Sequence, residues 1–225
     1  MATVKQYVKP QRLYRYRSLR AMGRELSAIR QGYVHCAPFE DLNDPMEGFF
    51  SSSRLLRERE EYREFRRAIR DRKAQSGICS FSEVYNHELM WAHYADQFQG
   101  ICIAYSLSRL LANLDKNVSF VRMYYSETEP MVRHTDKSAG QAAKKILSYK
   151  NYKWLYEREW RMFAPLGNAY YNDASCITRV YLGSRIDRDK RNQLKDALDE
   201  LNIGAMDMTI DKYSIAFEPY REEDV

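Results

Sequence analysis

The chain has 225 residues, 44% hydrophobic and 30% charged, with 36 Lys and Arg against 31 Asp and Glu for a net charge of +5. That length and apolar content are enough for a sizeable buried core, and they exclude a disordered or collagen-like polymer. No apolar run approaches the roughly 18 residues that a membrane span requires.

Arg12 to Arg17 alternates basic residues with Leu13, Tyr14 and Tyr16 and predicts a strand. Ser18 can cap a helix whose apolar face is Met22, Leu26 and Ile29, with Gly32 placed to end it. A short strand, Tyr33 to Cys36, leads into a turn-rich segment from Pro38 to Gly48 built around Asn43-Asp44-Pro45. An Asx-turn at Asn43-Asp44-Pro45 that caps the next segment is the expectation there. A charged helix follows from Arg54 to about Ser76, with Leu55, Tyr62, Phe65 and Ile69 as its apolar stripe.

Ile78 to Ser82 reads as a compact strand, and a helix from about His87 to Asp96 turns Met90, Trp91 and Tyr94 inward. His93 flanks that inward face, the position of a structural histidine. Gly100 breaks the helix before a buried strand, Ile101 to Tyr105, and another strand runs from Val118 to Tyr125. A helix from about Asp136 to Tyr149 precedes strands at Glu157 to Ala164 and Cys176 to Leu182. The last helix, about Asp187 to Leu201, is followed by a hairpin of Met206 to Ile210 and Tyr213 to Phe217 around Asp211-Lys212. Strands and helices alternate without a βαβα rhythm, and neither a linker nor an internal repeat appears. The expectation is a single α+β domain, 1–225, with a mixed, mostly antiparallel sheet and flanking helices.

The charge is unevenly placed. Nine bases and five acids lie between Arg54 and Lys73, so this stretch carries a net +4. Arg57 with Glu61, Glu60 with Arg63, and Glu64 with Arg67 have the spacing of helical ion pairs. A solvated amphipathic helix explains such a pattern, and a surface that attracts nucleic acid or an acidic protein explains it as well. Cys36, Cys79, Cys102 and Cys176 stand far apart without a C-x-x-C pair, which does not fit zinc. Free thiols and an N-terminus without a signal-peptide apolar core point to the cytoplasm.

Walker A, G-x-G-x-x-G, H-E-x-x-H and G-x-S-x-G motifs are absent from the sequence. Its unusual strings are Tyr14-Arg15-Tyr16, Asn43-Asp44-Pro45-Met46-Glu47, Cys79-Ser80-Phe81-Ser82, Met90-Trp91-Ala92-His93-Tyr94 leading to Gly100-Ile101-Cys102-Ile103, and Glu157-Arg158-Glu159-Trp160-Arg161. In this set and order the chain resembles the bacterial domain of unknown function 2971 family over about residues 13 to 185. The serine strand departs slightly from that family's C-F-S pattern. The family name implies no activity.

Glu157 and Glu159, two apart on a predicted strand, would share a face about 7 Å apart. Two such carboxylates repel unless water, a cation or a substrate separates them. Arg161, Arg15 or Arg17 could pair with them in a buried ion network. The order of a basic strand, S-x-S and E-x-E is also similar to that of the ADP-ribosyltransferase superfamily, which cleaves nicotinamide from NAD. That resemblance implies an ADP-ribosyltransferase-like fold and an enzyme of toxin or defence-effector type using NAD as substrate. It would make Glu159 the catalytic carboxylate and Glu157 the acceptor-activating group. Ser80 or Ser82 would brace the site, Arg15 or Arg17 would anchor the nucleotide, and Trp91 or Tyr94 would provide an aromatic shelf. A carboxylate suits the role because positive charge develops at the ribose carbon as nicotinamide leaves. Two alternatives stand beside it: a non-catalytic binding module on helix 54–73, and a metal-dependent nuclease built on Asp44, Glu47, Glu157 and Glu159.

Overall fold

The computed structural model describes residues 9–219 of the chain. The fold is α+β, as the interspersed patterns predict. Its helices are α1 (Met22–Gln31), α2 (Arg54–Arg57), α3 (Tyr62–Ala74), α4 (Glu88–Tyr94), α5 (Leu107–Asn113), α6 (Ala139–Ile146) and α7 (Arg188–Asp199). Among the described residues, no helix is long and apolar enough to cross a membrane.

The chain forms two compact units, and each is built from separated segments. Such interleaving leaves no linker for composition to reveal. The first unit takes residues 9–30, 83–113 and 173–219. Its strands run in the order Ser214–Pro219, Ala205–Asp211, Ile177–Leu182, Ile101–Ser106, Arg12–Arg17. All neighbours are antiparallel except Ile177–Leu182 and Ala205–Asp211, which are parallel and joined through α7. The mixed, mostly antiparallel expectation therefore holds here. Gly32, at φ 68°, ends α1 as its sequence position predicts. Ser18 does not cap α1, which begins four residues later; its Oγ accepts from Arg20 N–H and donates to Asp96.

The second unit takes residues 31–82 and 114–172. Strand Glu159–Ala164 lies between Gly77–Ser82 and Ser119–Arg122, antiparallel to both. Against this stands a helical layer in which α3 and α6 bury Leu56, Ile69, Val132, Ala142, Ala143 and Ile146. Ser53 and Ser138 cap α2 and α6 by accepting backbone N–H groups of Leu56 and Gln141. Gly77 lets strand Gly77–Ser82 approach Pro165, whose carbonyl oxygen would lie 2.5 Å from an added Cβ.

The charged helix predicted from Arg54 to Ser76 is broken. α2 ends at Arg57, and the chain turns through residues 58–61 before α3 begins. This break removes the helical spacing behind two of the expected ion pairs, Arg57–Glu61 and Glu60–Arg63, and neither forms; Glu64–Arg67 is also unformed. Arg54 with Glu58 is the pair present there, at 2.8 Å. Leu56, and not Leu55, faces the core, with Leu55 57% exposed. The strand expected at Val118 to Tyr125 divides at buried Met123 into Ser119–Arg122 and Tyr124–Ser126. The four cysteines are free and buried.

Candidate functional site

Two of the unusual strings meet inside the second unit. Glu159 opens strand Glu159–Ala164 opposite Ser82, and Arg161 lies opposite Ser80. Alternation along the strand puts Glu159 and Arg161 on one face, where Arg161 Nε and Nη2 donate to Glu159 Oε1 and Oε2 at 2.8 and 3.2 Å. Arg161 Nη1 donates to the Leu147 carbonyl at 2.8 Å. Glu47, three residues after Asp44, brings Oε2 to 2.5 Å from Arg161 Nη2. That contact is an ion pair between the two buried side chains.

Glu157 departs from expectation. It is not on the strand but ends a 3-10 turn, Tyr152–Glu157, and Arg158 then adopts a left-handed conformation with φ 46°. The kink still leaves both carboxylates within reach of one cation, Lys150, on strand Tyr149–Asn151. Lys150 Nζ lies 2.6 Å from Glu157 Oε2, 3.3 Å from Glu159 Oε2 and 3.4 Å from Glu47 Oε1. It also sits 5.0 Å above the Trp154 ring. Ser82 Oγ donates to the Glu157 carbonyl at 2.6 Å, and the Glu159 N–H donates to the Tyr125 hydroxyl oxygen at 2.7 Å.

Three carboxylates thus share two cations, all with side chains at most 5% exposed. Burial pushes the Glu159 carboxyl up, but Arg161 and Lys150, with a Ser80 hydrogen bond, outweigh it and hold it down at about 2. For Glu47 burial wins over Arg161 and Lys150, and the nearby Glu159 adds to the upward shift. Burial disfavours the Lys150 charge, yet Glu159, Glu157 and Glu47 raise it well above the usual range. Of Glu47 and Glu159, Glu47 is therefore the carboxylate that takes up a proton more readily.

Two cavities border this cluster within the same unit. The larger, about 1110 Å³, is lined by Arg57, Arg63, Arg66, Arg67, Arg70 and Lys73, with Phe39, Phe49, Phe50 and Tyr62 beside them. The five cations of α3 recur at i, i+3, i+4, i+7 and i+10, a single helix face. Among the described residues, Arg57, Arg63, Arg67 and Arg70 make no ion pair, while Arg66 stands over Phe50 and Tyr62. Lys73 is buried, donates to the Gly48 carbonyl at 2.7 Å and lies 4.7 Å from the Phe39 ring centre; burial lowers its affinity for a proton. The smaller cavity, about 270 Å³, is reached by Lys150, Glu47 and Asp44.

The remaining candidates belong to the first unit. Arg17 pairs with Glu25 at 2.6 Å, and Arg15 adds to the field that, with Arg17, offsets the burial of that carboxylate. Trp91 is fully buried, with Nε1 donating to the Tyr85 carbonyl and its ring edge-on to Tyr16, so no face is open as a shelf. Tyr94 is half-buried and His93 is exposed, in place of the core-flanking position expected for that histidine. Asp44, back in the second unit, forms the expected Asx-turn, its Oδ1 accepting from Met46 N–H at 2.9 Å. Among the described residues, no group of three His, Cys, Asp or Glu is arranged to hold a metal ion. The glutamates named for a nuclease face Lys150 and Arg161 instead.

Sequence reasoning missed Lys150, because a lone lysine in Tyr149-Lys150-Asn151 carries no motif. The surplus of acids in E-x-E was the available signal, since buried carboxylates need counter-charges. Neither the curated proteins nor the solved structures contain a match to the chain. Likeness to ADP-ribosyltransferases is not shown. Residues 90–162, which run from the Met90-Trp91 helix through Glu157, Glu159 and Arg161, match the family model described as protein of unknown function (DUF2971).

Proposed function

We propose that the second unit binds single-stranded nucleic acid along the α3 face of the larger cavity. One observation carries this reading: a stripe of arginines without internal acidic partners stands beside aromatic rings in a single concave surface. Guanidinium groups track phosphates, and flat rings accept bases by stacking, with little dependence on sequence. Phe49, 67% exposed at the cavity, is placed to act as such a ring. The test is fluorescence anisotropy with a labelled oligothymidylate across a salt series, on the wild type and on Arg63→Ala/Arg67→Ala/Arg70→Ala. Affinity should fall steeply with salt, and the triple variant should lower the log–log slope by about 0.7 for each phosphate it no longer neutralises. An absence of binding at low salt, or binding indifferent to the variant, sinks the reading. Equal competition by an acidic peptide would replace the nucleic acid with an acidic protein partner.

A second reading, NAD cleavage with ADP-ribosyl transfer, is favoured by the placement of Ser82 opposite Glu159 and by the Ser80–Glu159 hydrogen bond. In it Glu159 would stabilise the oxocarbenium-like ribose. Both its oxygens are held by Arg161 and Lys150, so those cations would have to yield when NAD enters. Calorimetry with NAD on the wild type and Glu159→Gln, followed by assay for released nicotinamide, decides it. Neither binding nor release would retire it.

A further inference from the structure

We propose that the smaller cavity binds a small organic cation, a molecule carrying a primary amine or guanidinium, through Asp44. The cavity lies in the second unit between the turn at 44–49 and the segments 126–130 and 149–151. Asp44 is 4% exposed, and the Asx-turn uses one of its oxygens. The other, Oδ2, is buried without a hydrogen-bond partner. Buried carboxylate oxygens are rarely left in that condition, because desolvation without a donor is costly.

The surrounding charge has the same sign. Glu127 and Glu129 line the cavity and make no ion pair among the described residues. Lys150, the cation in the lining, is already engaged by Glu157, Glu159 and Glu47. Glu157 and Glu159 alone match the charges of Lys150 and Arg161, so Lys150 offers no uncompensated positive field to an anion here. Ile146 and Phe49 supply apolar wall for a short methylene stem. About 270 Å³ is just below the usual range for small-molecule sites, roughly 300–1,000 Å³. It admits a few carbons with a charged head. A divalent metal would need six or more oxygens at short range, and no trio of acids among the described residues is so arranged. An ammonium or guanidinium needs only one donor aimed at each free oxygen.

This proposal does not rest on the nucleic-acid reading, although the two cavities share Asp44, Glu47, Gly48 and Phe49 in their walls. Its test is titration calorimetry with agmatine, which carries both head groups on a four-carbon stem, on the wild type, Asp44→Asn and Glu127→Gln/Glu129→Gln. The wild type should bind. Asp44→Asn keeps an oxygen for the Met46 N–H, so the turn survives, and it should weaken binding about tenfold or more. The double variant, at exposed positions, should weaken binding severalfold, with the loss shrinking at high salt. No heat with agmatine overturns the proposal, as does unchanged affinity in Asp44→Asn with wild-type circular dichroism. If Asp44→Asn fails to fold, unchanged affinity in the double variant overturns it. Tighter competitive binding of Mg²⁺ or Ca²⁺, or of the peptide Gly-Arg-Gly, would also overturn it, assigning the site to a metal or to a protein side chain.

Discussion

Lys150 Nζ stands 2.6 Å from Glu157 Oε2 with both side chains at most 5% exposed, and Glu159 and Glu47 close around the same ammonium. Removing one member of a buried ion cluster strands the others in low dielectric, which typically costs about 3–5 kcal/mol. Lys150→Met should therefore lower the unfolding free energy by an amount of that order, read as a fall in the urea midpoint at unchanged slope. Adding Glu157→Gln should recover part of the loss, since the double variant has one fewer uncompensated charge. Equal midpoints for Lys150→Met and the wild type would show that the cluster contributes nothing to folding.

The two shifted carboxyls give opposite pH dependences. Glu159 is held down at about 2 against an ordinary 4.5, so its contribution is full above about 4.5 and is lost as pH falls through about 2. Glu47 is shifted up, so the folded state keeps a proton that the unfolded chain has released, and stability falls as pH rises above 4.5. Scanning calorimetry should show Glu159→Gln most destabilised above pH 4.5 and converging on the wild type toward pH 2. Glu47→Gln should improve relative to the wild type as pH climbs above 4.5. Parallel curves for the three proteins would mean that neither ionisation is linked to folding.

Gly48 has φ 81°, and a Cβ there would meet Phe39 Cε2 at 3.0 Å and Lys73 Nζ at 3.1 Å. A side chain in that conformation costs about 1–2 kcal/mol, and the crowding falls on the amine that Gly48 itself holds by its carbonyl. Gly48→Ala should be destabilised by about that amount in chemical denaturation. It should also weaken oligothymidylate binding, because Lys73 is displaced from the cavity floor. A wild-type midpoint would show that Lys73 moves aside without cost.

Phe49 and the arginines should separate cleanly in binding experiments. Stacking on an aromatic ring contributes about 1–3 kcal/mol per base and is nearly independent of salt. Phe49→Ala should therefore weaken oligothymidylate binding with an unchanged salt slope, whereas arginine variants lower the slope. A changed slope in Phe49→Ala would mean that the ring acts by positioning arginines and not by stacking.

Local patterns carried much of the architecture. The strands at Arg12–Arg17, Gly77–Ser82 and Ile101–Ser106, the end of α1 at Gly32 and the closing hairpin follow from alternation and turn chemistry that neighbouring residues supply. The break between α2 and α3 was hidden, because Glu58, Glu60 and Glu61 suit a helix as well as a turn, and packing of Leu56 and Ile69 against α6 decided it. Among the expected partners of E-x-E, Arg161 was legible from strand alternation. Glu47 was legible beside Glu157 and Glu159 only as a co-ligand of a divalent ion, and its pairing with Arg161 was not. Lys150, although just 7 and 9 residues before the two glutamates, carries no motif, and only the turn at Tyr152–Glu157 brings it to them. The cationic face of α3 was readable as composition, but the aromatic wall opposite it comes from Phe39, Phe49 and Phe50, whose placement depends on the turn at Asp44.

The arginine face of α3 has a practical consequence for anyone handling the protein. Guanidinium groups without internal acids exchange small anions continuously with the medium, so a ligand arriving at the cavity displaces resident buffer ions. Phosphate and sulfate, whose oxygens match the guanidinium fork, are competitors that chloride is not. Apparent dissociation constants measured in phosphate buffer should therefore be weaker than those in a zwitterionic buffer at equal ionic strength, and the ratio between them reads directly how well the face accommodates a single phosphate group.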